Sequence, residues 1–144
     1  METLKIDPKT VDLNEMIERG THLHGHLGPF LVAGIRMGLL ALELLNSSGY
    51  FGIQAESETG SKTPLSCLTD GVQIGSGCTA GKGNLQVNGT GQPTVRFKTD
   101  DGRTAVITLH PEALEDFRSG ELIAESHRTA TRPLEELFTW EVLS

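Results

Sequence analysis

The segment from Pro29 to Gly49 constrains the fold of this chain more than any other stretch of its sequence. It reads PFLVAGIRMGLLALELLNSSG, and its only charged residues are Arg36 and Glu43. Proline is favoured at the first position of a helix, and a helix that is apolar almost all round is buried on most of its sides. The segment therefore predicts a long central apolar helix against which the rest of the chain packs.

Two glycines lie inside this predicted helix. Gly34 and Gly38 are four residues apart, so they share one helical face. Each lowers the helix propensity by about 1 kcal/mol relative to alanine, and a compensating contact is therefore required. Because glycine has no side chain, we expect another backbone to pack unusually close to this face.

The rest of the pattern predicts an α+β fold. Thr94–Thr99 and Thr104–Leu109 alternate in period two around an Asp-Gly turn, which predicts a β-hairpin, and residues 50–59 predict a further strand. Helical spacing is seen in residues 10–19, closed by Gly20, and in residues 65–74, 112–118, 121–129 and 134–138. We expect one domain, residues 1–144, in which a mixed or antiparallel sheet packs against the long central apolar helix.

Charge and cysteine content limit the partners of the chain. The formal net charge of -7 disfavours nucleic acid, because phosphates would meet net repulsion. The N-terminus lacks the basic start and apolar run of a secretory signal, and no stretch predicts a membrane span. We therefore expect a cytoplasmic protein in which Cys67 and Cys78 are free thiols or metal ligands and not a disulfide.

Three histidines alternate immediately before the predicted central helix. His22, His24 and His26 would all point to one side of an extended backbone, whereas on a helix only His22 and His26 would share a face. We favour the extended conformation, because it gathers three imidazoles, which are common ligands of metal ions. The alternative is that these histidines cap backbone groups and that Gly25 and Gly28 serve only the turn.

The two cysteines extend this candidate metal site. Taken alone, separated cysteines are typical of small buried apolar side chains. Combined with three histidines, they supply the thiolate and imidazole ligands that zinc and related divalent transition ions prefer. The candidate ligands are His22, His24, His26, Cys67 and Cys78, and the tertiary fold must assemble them because no C-x-x-C pair is present.

The glycine-rich segment GSGCTAGKGN offers a second candidate site around Cys78. Thr79, Lys82 and Asn84 lie close together in it, and the lysine and loop N–H groups can attract a small anionic ligand. Lys82 can also lower the pKa of the Cys78 thiol. An enzyme that uses a metal or the Cys78 thiolate on an anionic substrate is therefore one alternative to a metal-binding protein. A non-catalytic interaction protein, in which the Leu31–Leu45 helix contributes to a homodimer or a complex, is another.

Two motifs resemble one known family. HGHLGPFLVAGIRMG and CLTDGVQIGSGCTAGKGNL, together with the tail PLEELF, are similar to the formylmethanofuran dehydrogenase family of FmdE-type core domains, over about His22 to Leu109. The resemblance implies an α+β core domain, usually dimeric, with a metal-binding cleft lined by the histidine motif and the two cysteines. It does not imply a reaction.

The first motif departs from the family pattern H-G-H-x-C-P-G. This sequence has Gly28 where the pattern has cysteine and Phe30 where it has glycine, so one thiol is missing from the implied cleft. Asp70, one helical turn after Cys67, is either an orienting partner for a histidine or a solvated helix residue. We predict a divalent transition metal, zinc first, as the cofactor of a homodimeric protein.

Overall fold

The computed structural model of the chain describes residues 2–143, which form six helices and a five-stranded mixed sheet. The helices are α1 Leu13–His24, α2 Pro29–Leu45, α3 Cys67–Ser76, α4 Pro111–Ser119, α5 Leu122–Thr131 and α6 Leu134–Leu137. The strands are β1 Ile53–Ser57, β2 Leu85–Val87, β3 Thr94–Thr99, β4 Thr104–Leu109 and β5 Phe138–Leu143. The predicted α+β class is confirmed.

The sheet has the order β2-β1-β3-β4-β5, and only β1 and β2 run parallel. The β3–β4 hairpin has the predicted bounds, with Val95 opposite Ile107 and Phe97 opposite Ala105. These four side chains are fully buried, whereas Arg96 and Lys98 on the other face are exposed. One face of the sheet therefore carries the core, as period-two alternation requires.

Helix α2 begins at Pro29, as predicted, and all but four of its residues are buried. It ends at Asn46, whose left-handed backbone (φ 49°, ψ 49°) directs its N–H back to the carbonyls of Leu42 and Glu43. Asparagine tolerates this conformation better than most residues. The apolar surface of α2 is thus consumed within the chain.

Close packing of α2 against α3 depends on four glycines. Gly34 and Gly38 of α2 face Gly71 and Gly75 of α3, and a Cβ atom added at Gly34 would lie 2.1 Å from the Leu68 carbonyl oxygen. A Cβ at Gly71 would lie equally close, 2.1 Å, to the Leu31 carbonyl oxygen. The predicted close approach is confirmed, and the second helix brings its own glycine pair to it.

The prediction for α1 was wrong at its C-terminal end. The helix continues through Gly20 to His24, and Gly25, with φ 101°, ends it in the left-handed conformation. Gly20 is buried inside the helix because a Cβ there would lie 3.0 Å from Ile35 Cδ1 of α2. The extended conformation expected for the histidines is therefore also wrong, since His22 and His24 belong to the last turn of α1.

Two strands at the sheet margins were not predicted. β2 has only three residues, too few for a periodic signal. Phe138, assigned by the sequence to a helix end, instead begins β5, which pairs antiparallel with β4. In residues 2–143, no helix has the length and apolar character that crossing a membrane requires.

Candidate functional site

A pocket of about 300 Å³ opens beside the first turn of α3, and we call it the His24 pocket. The end of α1 contributes His24, and α3 contributes Cys67, Thr69 and Asp70. Val87 of β2 and the connection from β1 to α3 complete the wall. The lining residues are His24, Gly60, Ser61, Thr63, Ser66, Cys67, Thr69, Asp70 and Val87.

His24 is held by a carboxylate. Its Nδ1 lies 2.5 Å from Asp70 Oδ2, and Asp70 Oδ1 accepts a second hydrogen bond from Gln73 Nε2 at 3.3 Å. A carboxylate at Nδ1 favours the tautomer in which that nitrogen carries the proton, so Nε2 keeps its lone pair. The orienting role predicted for Asp70 agrees with this geometry.

The other ring nitrogen of His24 has no partner. The side chain is only 10% exposed, and Nε2 is buried without a hydrogen bond to any atom of residues 2–143. An unsatisfied buried polar group costs about 1–3 kcal/mol, and native proteins contain few of them. Nε2 is therefore the atom of this pocket that most requires a ligand.

Cys67 lies on the same pocket wall and is 7% exposed. Burial raises the pKa of its thiol, and the nearby Asp70 carboxylate raises it further, against a smaller opposing effect of a backbone hydrogen bond. The unaided thiol is thus protonated at neutral pH. A cation in the pocket would favour the thiolate, because it replaces the missing positive charge.

Three buried hydroxyl groups adjoin the pocket. Thr69 Oγ1 lies 2.7 Å from Ser57 Oγ and 2.9 Å from Thr59 Oγ1, and the latter two oxygens are 3.1 Å apart. Each hydroxyl satisfies the others, so this cluster has no unmet polar group of the kind seen at His24. It fixes the position of the α3 first turn relative to β1.

Cys78 lies at the opposite end of α3. It is fully buried, and its Sγ lies 3.7 Å from the Ile53 carbonyl oxygen. Burial raises the pKa of its thiol more than the hydrogen bond with Ser76 and the charge of Lys82 lower it. The geometry does not support the thiolate character that the sequence suggested for this residue.

The residues expected to bind an anion hold their own loop together, and we call residues 77–84 the Lys82 loop. Lys82 Nζ donates to the Gly77 carbonyl at 2.7 Å and to Thr79 Oγ1 at 2.9 Å. Asn84 Oδ1 accepts from the Thr79 N–H at 2.8 Å, while its Nδ2 donates to the Tyr50 and Ile53 carbonyls. The three side chains are adjacent, as predicted, but the polar atoms named here are used within the chain.

The two remaining histidines are exposed. His22 lies on α1 beside Glu18 and Arg19, away from the His24 pocket. His26 lies beyond the helix end, with its ring centroid 4.6 Å from that of His24 and its Nδ1 3.0 Å from the Leu27 carbonyl oxygen. His26 is therefore a neighbour of the pocket, whereas His22 is not.

The five predicted metal ligands do not share one centre. His24 and Cys67 meet in the His24 pocket, but about 13 Å of helix separates Cys67 from the Cys78 end of α3, at 1.5 Å per residue. Among residues 2–143, no three His, Cys, Asp or Glu side chains converge well enough to hold an ion. The expectation of one site containing both sulfur atoms is thus corrected.

The sequence analysis did not identify the hydroxyl-bearing wall of the pocket. Ser61, Thr63 and Ser66 lie in the stretch SETGSKTPLS between β1 and α3. The density of serine and threonine there was the available signal. It did not distinguish a binding wall from an ordinary polar connection, because both have that composition.

Gly28 occupies a position that would accept a side chain. Its backbone is extended (φ -158°, ψ 158°), and a Cβ would lie 3.5 Å from His26 Cε1 and 3.7 Å from Leu122 Cδ1. Both distances are ordinary van der Waals contacts. The absent thiol of the first motif therefore reflects this sequence and not a steric exclusion by the fold.

Known proteins share this fold and part of this sequence. A crystal structure of a tungsten formylmethanofuran dehydrogenase FmdE-like protein from Syntrophus aciditrophicus matches 99% of this chain and 77% of that chain, with a TM-score of 0.71 and 21% identity. A relative from Archaeoglobus fulgidus, named a probable S-adenosyl-L-methionine-binding protein, is 32% identical over 80 residues. That match covers 51% of this chain and only 20% of the relative.

The family model described as FmdE, molybdenum formylmethanofuran dehydrogenase operon, matches residues 23–143. That range contains the histidine motif from Leu23 onward, all of α3 and the whole sheet. It thus includes every lining residue of the His24 pocket. On the extent of this match, the chain belongs to the FmdE family.

Proposed function

We propose that the chain binds a divalent transition metal ion, zinc first, in the His24 pocket. His24 Nε2 and Cys67 Sγ would be the protein donors, and Asp70 would hold the imidazole in the binding tautomer. The observation that carries the proposal is the buried, unpartnered Nε2 beside a pocket that also contains a thiol. A carboxylate on the far side of a histidine is the usual companion of a metal-bound imidazole.

The residues present fit such an ion in kind but not in number. Imidazole and thiolate are donors that zinc prefers, yet the described part of the chain brings only these two together. Further positions would be filled by water, a small ligand or another chain. A bound ion with open positions supplies Lewis-acid chemistry. Asp70 keeps the proton at Nδ1, and Cys67 releases its own on binding.

The two alternatives from the sequence have less support. A Cys78 nucleophile would need a thiolate, whereas this thiol is fully buried and its pKa is raised. A homodimer through α2 would need a free apolar face, whereas α2 packs within the chain. A homodimer through another surface stays a prediction, as do the cytoplasmic location and the choice of zinc.

Cobalt substitution tests the proposal directly. Protein purified without a histidine tag is titrated with Co²⁺, and we expect the absorption band of a cobalt–thiolate bond. His24→Ala should abolish the band, whereas the matched variant His22→Ala, which removes an exposed histidine of the same helix, should leave it unchanged. Asp70→Asn should weaken Co²⁺ binding about 10- to 100-fold, since it removes only the orienting group.

Two outcomes would contradict the proposal. One is a wild-type protein that shows no cobalt–thiolate band at any Co²⁺ concentration. The other is a band that persists in His24→Ala and is lost in His22→Ala. Circular dichroism of each variant serves as the control that the fold is intact.

A further inference from the structure

The His24 pocket is much larger than a metal ion requires. It encloses about 300 Å³, whereas a water molecule occupies about 30 Å³ in the liquid. His24 and Cys67 contact the ion from one part of the wall, so most of the volume lies on the open side. An ion bound by two protein donors alone would leave this volume to solvent.

The open side of the pocket carries uncommitted hydroxyl groups. Ser61, Thr63 and Ser66 line it, and none of their hydroxyls makes a hydrogen bond within residues 2–143; Ser66 is the N-cap of α3 but makes no side-chain cap bond. Hydroxyls both donate and accept hydrogen bonds, so they match oxygen-bearing molecules.

Backbone donors of the first α3 turn are not available for this purpose. The N–H groups of Cys67, Leu68 and Thr69 donate to the carbonyls of Pro64, Leu65 and Ser66, at 3.0, 3.1 and 3.1 Å. Recognition on this side therefore falls to the side-chain hydroxyls. A ligand here needs oxygen atoms for the metal on one edge and for the hydroxyls on the other.

We infer that the pocket takes its metal together with a small chelator that has two adjacent oxygen donors. This inference rests on the proposed metal site, because the chelator oxygens occupy the positions that His24 and Cys67 leave open. The Ser61, Thr63 and Ser66 hydroxyls bind the outward side of the chelator. Metal and chelator raise each other's affinity by the same factor, as linkage requires.

Acetohydroxamate, a bidentate oxygen chelator, serves as the probe, and acetamide, which lacks the second oxygen, serves as the control. We expect acetohydroxamate to change the visible d–d spectrum of the Co²⁺ protein while the cobalt–thiolate band persists. Acetamide should leave the spectrum unchanged. These results would show a ternary complex, since a chelator that merely competes for cobalt would remove the thiolate band.

Ser66→Ala and Ser61→Ala test the hydroxyl wall, and both should fold because neither side chain makes a hydrogen bond within residues 2–143. At least one should weaken acetohydroxamate binding about 2- to 10-fold, the effect of losing one hydrogen bond. Co²⁺ affinity without the chelator should stay constant in both. Unchanged acetohydroxamate affinity in both variants would overturn the assignment of the wall.

Failure of the inference and failure of the proposed metal site give different spectra. Loss of the cobalt–thiolate band on adding acetohydroxamate, or an unaltered d–d region, overturns the chelator and leaves the metal site standing. The absence of any cobalt–thiolate band, with or without acetohydroxamate, overturns both.

Discussion

The two ends of α3 present the same residue type in opposite chemical settings. At the N-terminal end, Cys67 lines a pocket beside a histidine whose Nε2 has no partner within residues 2–143. At the C-terminal end, Cys78 is fully buried, and the Lys82 loop uses its polar atoms on its own backbone. Polar groups are unmet at the first end and satisfied at the second.

This difference separates a binding role from a structural one more clearly than residue identity does. Both thiols have raised pKa values, mainly through burial, so neither is a free thiolate at neutral pH. Only Cys67 has beside it an open pocket and a second donor of the kind metals bind. Residue type nominates a ligand, and unsatisfied geometry decides between candidates.

The largest expected effect comes from Gly71→Ala, which should disturb both ends at once. The new Cβ would lie 2.1 Å from the Leu31 carbonyl oxygen and 2.7 Å from the Ile35 N. Because both contacts are to backbone, we expect a loss of about 3 kcal/mol or more in unfolding free energy. Urea denaturation measures it.

Gly81→Ala is the matched control for Gly71→Ala. Gly81 has no atom within 4 Å of its added Cβ, so the change should stay within about 0.5 kcal/mol. Equal stability of the two variants would contradict the close packing of α2 on α3.

Exchanging one sulfur at a time should separate the two ends. Cys67→Ser should weaken Co²⁺ binding by more than the about 10- to 100-fold typical of losing an orienting residue, because it removes a donor. Cys78→Ser should leave Co²⁺ binding unchanged but cost about 1–3 kcal/mol of unfolding free energy, since it buries a hydroxyl. Cobalt titration and urea denaturation of both variants provide the measurements.

The comparison breaks if Cys78→Ser, and not Cys67→Ser, abolishes the cobalt–thiolate band. Equal loss in both variants would mean that the two sulfur atoms share a site after all.

Asn84→Ala should affect only the closed end. It leaves the Thr79 N–H and the Tyr50 and Ile53 carbonyls without their present partner. We expect a loss of about 1–3 kcal/mol in unfolding free energy, as for an unsatisfied buried group. The Co²⁺ affinity of the His24 pocket should match that of the wild type, and a changed affinity would show that the ends are coupled.

The smallest perturbation leaves the sequence intact and compares alkylation rates. Iodoacetamide should label Cys67 before Cys78, since Cys67 lines the pocket and Cys78 has no exposed surface. Both rates should rise with pH and reach half of their maximum above the ordinary thiol pKa of 9.0, because burial raises both pKa values. Mass spectrometry of the labelled peptides reports the order, and faster labelling of Cys78 would reverse the comparison.

Local patterns sufficed for much of the fold. The period-two alternation of β3 and β4 and their Asp-Gly turn predicted the hairpin with its observed bounds, because strand periodicity and turn chemistry act over a few residues. Pro29 marked the start of α2. The Gly34 and Gly38 pair predicted a close backbone neighbour, although not that α3 would supply it.

Gly20 shows where local reasoning stops. A glycine after a helical pattern is a common helix end, and only the neighbouring Ile35 side chain explains why this one is buried in mid-helix. The same displaced boundary put His22 and His24 on a helix, and so dispersed the histidines that an extended segment would have gathered.

The sequence by itself determined the donor types, the α+β class and a role for Asp70 beside a histidine. Only the tertiary structure decided that Cys67 shares a pocket with His24 and that Cys78 does not. The physical reason is that α3 is a rigid spacer between the two sulfur atoms, and its direction is set by glycine contacts with α2. Residue spacing fixes the length of such a spacer, whereas packing between distant segments fixes which end meets the histidine.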